Sequence, residues 1–429
     1  MIPNRPFTSL RQDLSDGVAN DAPLDRPMGA APDLPGPPDD FLAPGASTAV
    51  ADPAGATTVP FVDLARQHAP IREELREAFD RVLGASGFIL GGEVEAFEAE
   101  LAAYSDAAEC VGVASGTAAI TLALLAAGVG PGDEVVVPAH TYIASALGIL
   151  HAGATPVFCD VEAATGLIDP SSAAAAVSER TAAVLCVHLY GQPCDMDALA
   201  GLAGRRGLLV LEDAAQAHGA RIDGRPVGAI GAAGAFSFYP SKNLGALGDG
   251  GAICTDDPGI AERARRLRNL GQRTKGEHVV AGFNERLDGL QAALLRVKLH
   301  HLDAMNAARR ELAAAYDRDL PRAARRLAVV GGRECVYHLY PVRVSDRDAV
   351  AERLGVLGVQ TGVHYAPAVH NQPPFARTER RVPLAEAEAW ATTELSLPMF
   401  AELGNTELTR VVGACAWVFA NSTEAAVRA

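Results

Sequence analysis

The 429-residue chain contains no apolar run approaching the length of a membrane span, which leaves no candidate for a membrane-crossing helix. Basic residues are in deficit: 37 Lys and Arg stand against 52 Asp and Glu, a net charge of −15. That balance argues against general nucleic-acid binding, which requires a basic surface, but leaves room for a local pocket that takes a small anion. The opening MIPNRPFTSLRQD lacks the apolar core of a secretory signal, so the expected location is the cytoplasm. Cysteine is scarce and odd in number. The seven thiols, Cys110, Cys159, Cys186, Cys194, Cys254, Cys335 and Cys415, are scattered, and several sit in apolar runs such as AAVLCVHLYG. They read as inert buried thiols in a reducing compartment, without metal spacing. The rest of the composition, 49% hydrophobic and 21% charged, suits a soluble globular enzyme, and the length suits two domains.

Residues 1–57, with PDLPGPPDDFLAPGASTAVADPAGATT, are rich in Pro, Ala, Gly and Asp and show no period. Such a segment buries too little apolar surface to offset its ordering entropy, and reads as a disordered extension. From VPFVDL onward the pattern becomes regular. Helices are expected at 68–83 and 93–105. Strand and helix then alternate: ECVGVA and TAAITLALLAA, DEVVVP and TYIASALGILHAG, TPVFCDV and SSAAAAVSER, AAVLCVHLYG and DMDALAGLAGRRG, then LLVLED and GAFSFY. Short apolar strands separated by helices predict an α/β fold whose large, mainly parallel sheet is covered by helices on both faces. A long helix over 285–316 carries Leu287, Leu290, Leu294 and Val297 on one stripe. The expected division is a large domain at 58–300 and a smaller C-terminal α+β domain at 301–429. The latter would hold the strands CVYHLYPVRV and VQTGVHY, the helix RDAVAERLGVLG and a final helix TELTRVVGACAWVFA.

In such sheets ligands bind beyond the carboxyl ends of the strands. After ECVGVA comes Ser115-Gly116-Thr117, opening a helix; free N–H groups there attract an anion, although Ser115 or Thr117 also suits an N-cap. After DEVVVP stands Tyr142, either a plate for a flat ligand or a tyrosine at the edge of the core. After LLVL come Glu212 and Asp213, carboxylates that need a partner when buried, or a helix cap. GAFS ends at Ser237, and Lys242 follows in the glycine-rich loop PSKNLGALGDGG. Asp213 and Lys242 are 29 residues apart, a spacing that lets both reach one sheet edge. A phosphate cradle, an aromatic plate, a buried carboxylate and a loop lysine together suit pyridoxal 5′-phosphate. Its phosphate must be held, its ring nitrogen kept protonated and its aldehyde bound by an amine.

SGTAAITLALLAAGVGPGDEVVVPAHTYIAS, VHLYGQPCDMDAL, EDAAQAHGA, FSFYPSKNLGALGDGGAI and GFNERLDGLQAALLRVKL resemble the DegT/StrS family of sugar aminotransferases, over residues 59 to 420. The resemblance implies a fold type I pyridoxal-phosphate-dependent transferase that aminates a nucleotide-linked keto sugar with L-glutamate as donor. By position, Lys242 is the lysine that bonds to the cofactor and Asp213 the partner of its ring nitrogen. Gln216 corresponds to the contact to the ring hydroxyl, and Tyr142 to the aromatic that covers the ring. Gly116, Thr117 and Ser237 match phosphate-binding positions. Asn284 matches an asparagine that reaches the phosphate from the other subunit of a homodimer. A related branch removes a hydroxyl instead and carries histidine where this chain has Lys242. The wording HTYIAS and VHLYGQPCDMD is closest to enzymes acting at C-3 of dTDP-3-keto-6-deoxyhexoses.

Candidates for the sugar nucleotide are Arg286, His338, His364 and Tyr365, with Arg273 and Lys275 near its phosphates. The other basic residues of ERARRLRN are expected on a solvated helix face, and the paired glycines of FILGGEV allow a mobile entry loop. Two rival readings are a ketocyclitol aminotransferase of the aminoglycoside type and a non-catalytic relative with a scaffold or regulatory role.

Overall fold

The computed structural model describes residues 58–427, with side chains as far as residue 421. The segment expected to be a disordered extension, 1–57, lies outside the described residues. The central sheet is built from β1 (Glu109–Val113), β2 (Glu134–Pro138), β3 (Thr155–Cys159), β4 (Thr181–Val187), β5 (Leu209–Asp213), β6 (Ala233–Ser237) and β7 (Gly251–Thr255). Their order is β1-β7-β6-β5-β4-β2-β3. The neighbours from β6 through β3 are parallel; β7 runs antiparallel to both β6 and β1. This strand, GAICT, is the member that sequence reading did not separate. It follows the lysine loop directly, and all five of its residues are buried.

Twelve helices clothe the described chain: α1 (Leu64–His68), α2 (Arg72–Ala85), α3 (Gly92–Tyr104), α4 (Gly116–Ala126), α5 (Ile143–His151), α6 (Pro170–Ala176), α7 (Met196–Arg206), α8 (Pro258–Arg268), α9 (Gly289–Asp319), α10 (Arg347–Val356), α11 (Ala385–Thr393) and α12 (Asn405–Val427). α4 is apolar all round and nearly wholly buried, as a helix between a sheet and α5 and α8 must be. Just past its C-cap stands Gly128, whose φ of 85° lets the N–H groups of Gly128 and Val129 reach back to the carbonyls of Leu125 and Leu124.

The long helix begins at Gly289, later than expected, and has two apolar faces. Leu290, Leu294 and Val297 pack against Ile71, Leu75, Ala78 and Val82 on and beside α2. Leu287 lies before the helix and joins Ala292, Leu295, Leu299 and Leu302 in a different cluster with Phe97 and Phe238. Farther along, Leu312 and Tyr316 enter a third core around an antiparallel sheet of β8 (Arg325–Arg326), β9 (Tyr340–Arg343) and β10 (Glu394–Leu397).

Two expected strands are shorter or absent. In CVYHLYPVRV only Tyr340–Arg343 pairs, because side chains take the preceding carbonyls: Asn243 Nδ2 donates to Val336 at 3.0 Å and Arg309 to Tyr337 at 3.2 Å. VQTGVHY forms only isolated pairings, Val359 with Val59 and Gly362 with Ser396. A side chain replaces the ladder there, since the Glu394 carboxyl accepts the N–H of His364 at 2.5 Å. Among the described residues no helix is long and apolar enough to cross a membrane.

Leu295 is fully buried where α9 meets the second cluster. Leu295→Ala is expected to destabilise the protein by about 2–5 kcal/mol through lost transfer energy and a residual cavity. A urea melt with an unchanged m-value checks it.

Candidate active site

β5 ends in two adjacent carboxylates, and the pleat sends them to opposite faces. Glu212 is structural. It accepts the N–H groups of Gly228, Ile230 and Gly231, each at 2.7 Å, and His188 Nε2 lies 3.0 Å away. Burial opposes its charge, but His188 and the Gly231 and Gly228 N–H groups hold the carboxyl below the usual carboxylate range. Asp213 faces the other way. Its Oδ2 accepts Ser145 Oγ at 2.6 Å and its Oδ1 accepts the N–H of Ala215 at 3.1 Å, and no helix follows for it to cap. Thr141 Oγ1 lies 2.9 Å behind Ser145 Oγ. Burial pushes the Asp213 carboxyl up, against the pull of Ser145, Ala215 and Lys242.

Lys242 sits in the loop between β6 and β7, its N–H bonded to the Tyr239 carbonyl at 2.8 Å. Its side chain keeps a partial opening to solvent, yet protein packs closely around it. Burial pushes its ammonium group down to about 8, with Asp213 acting in the opposite direction. A neutral amine is therefore within reach at ordinary pH.

At the start of α4, Ser115 is the N-cap, with Oγ accepting the N–H of Ala118 at 3.1 Å. The N–H groups of Gly116 and Thr117 precede the first intrahelical bonds and stay available to an anion. Ser237 closes against this turn so tightly that a Cβ on Gly116 would lie 2.5 Å from the Ser237 Cβ. A Cβ on Gly251 would lie 2.4 Å from the Ser115 carbonyl. These contacts keep the cradle free of side chains, as close backbone approach to a phosphate requires.

Tyr142 precedes α5 and is 54% exposed, its ring 5.2 Å from that of Tyr365. Gln216 Nε2 donates to the Tyr365 hydroxyl at 2.9 Å, while its Oε1 accepts the N–H of Tyr190 at 2.6 Å. Tyr190 donates its hydroxyl to the His364 carbonyl at 2.7 Å, and His140 Nε2 lies 2.7 Å from the same hydroxyl. His364 and Tyr365 thus form a strap fastened over the strand ends. Tyr190 itself has φ +63°, a conformation that non-glycine residues rarely hold. It stands just after β4, so the strand-end rule pointed to it, yet sequence reading passed over it. Ser145, Asn243, Glu394 and Ser396 were missed too, because small or buried polar residues carry no distinctive pattern.

His338 is buried behind the lysine loop with Nδ1 3.2 Å from Asn243 Oδ1, and so braces the residue next to Lys242. Arg286 pairs through its backbone with Val113 and donates to Asn269 Oδ1 at 2.9 Å. Asn284 is exposed on the adjoining segment. Arg273 bonds to Glu277 across the Gln272–Thr274 and Glu277–His278 hairpin, with Lys275 in its turn. The α8 face is not wholly solvated as expected: Arg268 is buried in an ion pair with Glu98 and also donates to the Gly112 carbonyl at 2.5 Å.

Folding brings Cys186, His188 and Cys194 together, although their spacing gave no metal pattern. His188 Nδ1 lies 3.0 Å from the Cys194 N and Nε2 lies 3.0 Å from Glu212, so both ring nitrogens are committed within the fold. The cluster braces the sheet.

The sequence profile of the DegT/DnrJ/EryC1/StrS aminotransferase family matches residues 69–416. A pleiotropic regulatory protein of Geobacillus stearothermophilus is 47% identical over 359 residues, covering 82% of this chain and 96% of its own. The dTDP-3-amino-3,4,6-trideoxy-alpha-D-glucose transaminase of Streptomyces venezuelae is 47% identical over 363 residues, covering 83% and 95%. Among solved structures, S. venezuelae DesV in complex with a ketimine intermediate superposes with a TM-score of 0.81 at 46% identity, covering 84% of this chain and 98% of its own.

A carboxyl whose pKa is raised on folding lowers stability once it ionises. The penalty is absent below the unfolded pKa and grows as pH rises through the folded one. Asp213→Asn is therefore expected to stabilise the cofactor-free protein at pH 7 relative to the parent, with the gap closing towards pH 4. Denaturant midpoints at the two pH values check the sign.

Proposed function

This chain belongs to the DegT/DnrJ/EryC1/StrS aminotransferase family, and we propose that it is a pyridoxal-phosphate-dependent sugar aminotransferase. It moves an amino group from L-glutamate to C-3 of a dTDP-3-keto-6-deoxyhexose, in the cytoplasm. The observation that carries this reading is that Lys242 and buried Asp213 lie near enough at the strand ends for each to feel the other's charge, beside a cradle closed to side chains at Gly116 and Ser237. The similarity to the dTDP-sugar transaminase supports the choice of acceptor.

The residues present fit the cofactor. Gly116, Thr117 and Ser237 would hold its phosphate, Tyr142 would cover its ring, and Gln216 would stand by the ring hydroxyl. Asp213 would face the ring nitrogen, where a cation relieves the cost of burying the carboxylate. When bound, the cofactor supplies an electron sink for the carbon that loses its proton. Lys242 Nζ, which burial pushes down to about 8, takes the proton from the donor's α-carbon and returns it as general base and then acid. Ser145 and Ala215 fix the Asp213 carboxylate while this happens. The strap at His364 and Tyr365 roofs the site and limits water.

Asn284, exposed on one protomer, serves the site of its partner in a homodimer. Mixing Lys242→Ala with Asn284→Ala protomers, each inactive alone, is then expected to restore about a quarter of the parental activity, since half the dimers regain one of two sites. No recovery on mixing would show that sites are not shared.

Lys242→Ala is expected to abolish turnover and the visible absorption of the bound cofactor. Initial rates with L-glutamate and the keto sugar should give the parallel lines of a ping-pong scheme. Product masses from dTDP- and UDP-linked keto sugars and from keto-inositol decide the acceptor. Amination of keto-inositol alone overturns the nucleotide-sugar reading.

A further inference from the structure

The strap is fastened on its far side by a buried acid. Glu394, on β10, is fully buried. Its Oε2 accepts the N–H of His364 at 2.5 Å, and its Oε1 lies 2.5 Å from Ser396 Oγ. Ser396 Oγ in turn lies 2.9 Å from His364 Nδ1. The His364 ring stacks on Phe61 at 5.5 Å and meets Tyr365 edge-on. Its Nε2 makes no hydrogen bond among the described residues, and the residue is only half-buried. The charged and titratable groups around this relay include Arg343, opposite Glu394 on β9, Arg347 from α10, Lys242 from its loop, Tyr190 and Tyr365, and the imidazoles of His140 and His338. Neither hydrogen bond to Glu394 comes from a cation.

Three groups in a row, each able to pass one proton, have two consistent arrangements. With Glu394 protonated, it donates to Ser396, Ser396 donates to His364 Nδ1, and the ring carries its proton on Nε2. With Glu394 ionised, Ser396 donates to the carboxylate, Nδ1–H donates to Ser396, and Nε2 presents a lone pair. Passing from the first to the second releases one proton, at Nε2, and the imidazole stays neutral throughout.

We propose that Glu394, Ser396 and His364 form a proton relay that makes His364 Nε2 the acid serving the carbonyl oxygen of the keto sugar. This rests on the acceptor reading above. Replacing a carbonyl oxygen by nitrogen requires that oxygen to collect two protons and leave as water. The first arrives with the attacking amine. For the second, the Nε2–H bond breaks as an O–H bond forms on the departing hydroxyl. Nδ1 takes the Ser396 proton, Ser396 takes the Glu394 proton, and Glu394 ends ionised. Burial raises the Glu394 carboxyl to about 8, against the pull of the His364 N–H, Ser396 and Arg347, so the store is filled at neutral pH. Burial and Lys242 hold His364 itself down to about 4, so the ring alone would not carry this proton.

The test uses the full-length protein labelled with 15N-histidine, with and without cofactor. The His364 signals are expected to show the Nε2–H tautomer at pH 6.5 and the Nδ1–H tautomer at pH 9.5. In Glu394→Gln the amide oxygen keeps the His364 N–H and the NH2 group faces Ser396, which locks Nε2–H at both pH values. Ser396→Ala also removes the switch. In single turnovers, Glu394→Gln should slow the sugar half-reaction about 100-fold and remove its pH dependence near 8, while the glutamate half-reaction keeps its rate. A parental tautomer that does not change, a Glu394→Gln protein that titrates like the parent, or equal slowing of both half-reactions overturns the relay. A parental protein that switches tautomer but consumes no keto nucleotide sugar removes the acceptor reading and leaves the relay itself supported.

Discussion

A carboxylate at the buried end of a strand costs free energy unless something positive or hydrogen-donating meets it. β5 solves this twice within two residues. Glu212 is met by three backbone N–H groups and an imidazole, and needs nothing further. Asp213 is met by one hydroxyl and one N–H, and its carboxyl stays above its ordinary range. The first carboxylate is complete and holds the sheet; the second keeps accepting capacity that the proposed cofactor ring would meet. The lysine loop and the strap lie around it.

Much of this arrangement was legible in the chain. Apolar runs alternating with helical patterns mark the sheet, and the rule about strand ends leads to Ser115-Gly116-Thr117, Tyr142, Asp213 and Lys242. The strand-end rule alone does not divide Glu212 from Asp213, since the choice depends on which face of β5 each meets; the family resemblance is what singles out Asp213. The strand Gly251–Thr255 was hidden because it follows a loop of glycines and reverses direction, so no helix announces it. VQTGVHY looks like a strand by composition, but its partners are the Glu394 and Ser396 side chains, which no periodicity reveals. Arg268 looked like one of several solvated arginines, and only the fold brings Glu98 to it.

The polar groups of the proposed site belong to two cores. Asp213, Lys242 and the Gly116 turn hang from the central sheet, whereas Glu394 and Ser396 hang from the small antiparallel sheet. The strap joins them through bonds at both ends: Tyr190 and Gln216 on one side, Glu394 and Ser396 on the other. A substitution in either core therefore reaches the same two residues.

The 31 residues of α9 form one rod about 46 Å long at 1.5 Å per residue. Its first half is locked on two faces, and its last turns supply Leu312 and Tyr316 to the far core. A shaft anchored at both ends resists hinge-like closure, because swinging one core towards the other would have to bend it. Any movement around the proposed site is thus left to the loops at the rim rather than to the bodies that carry them.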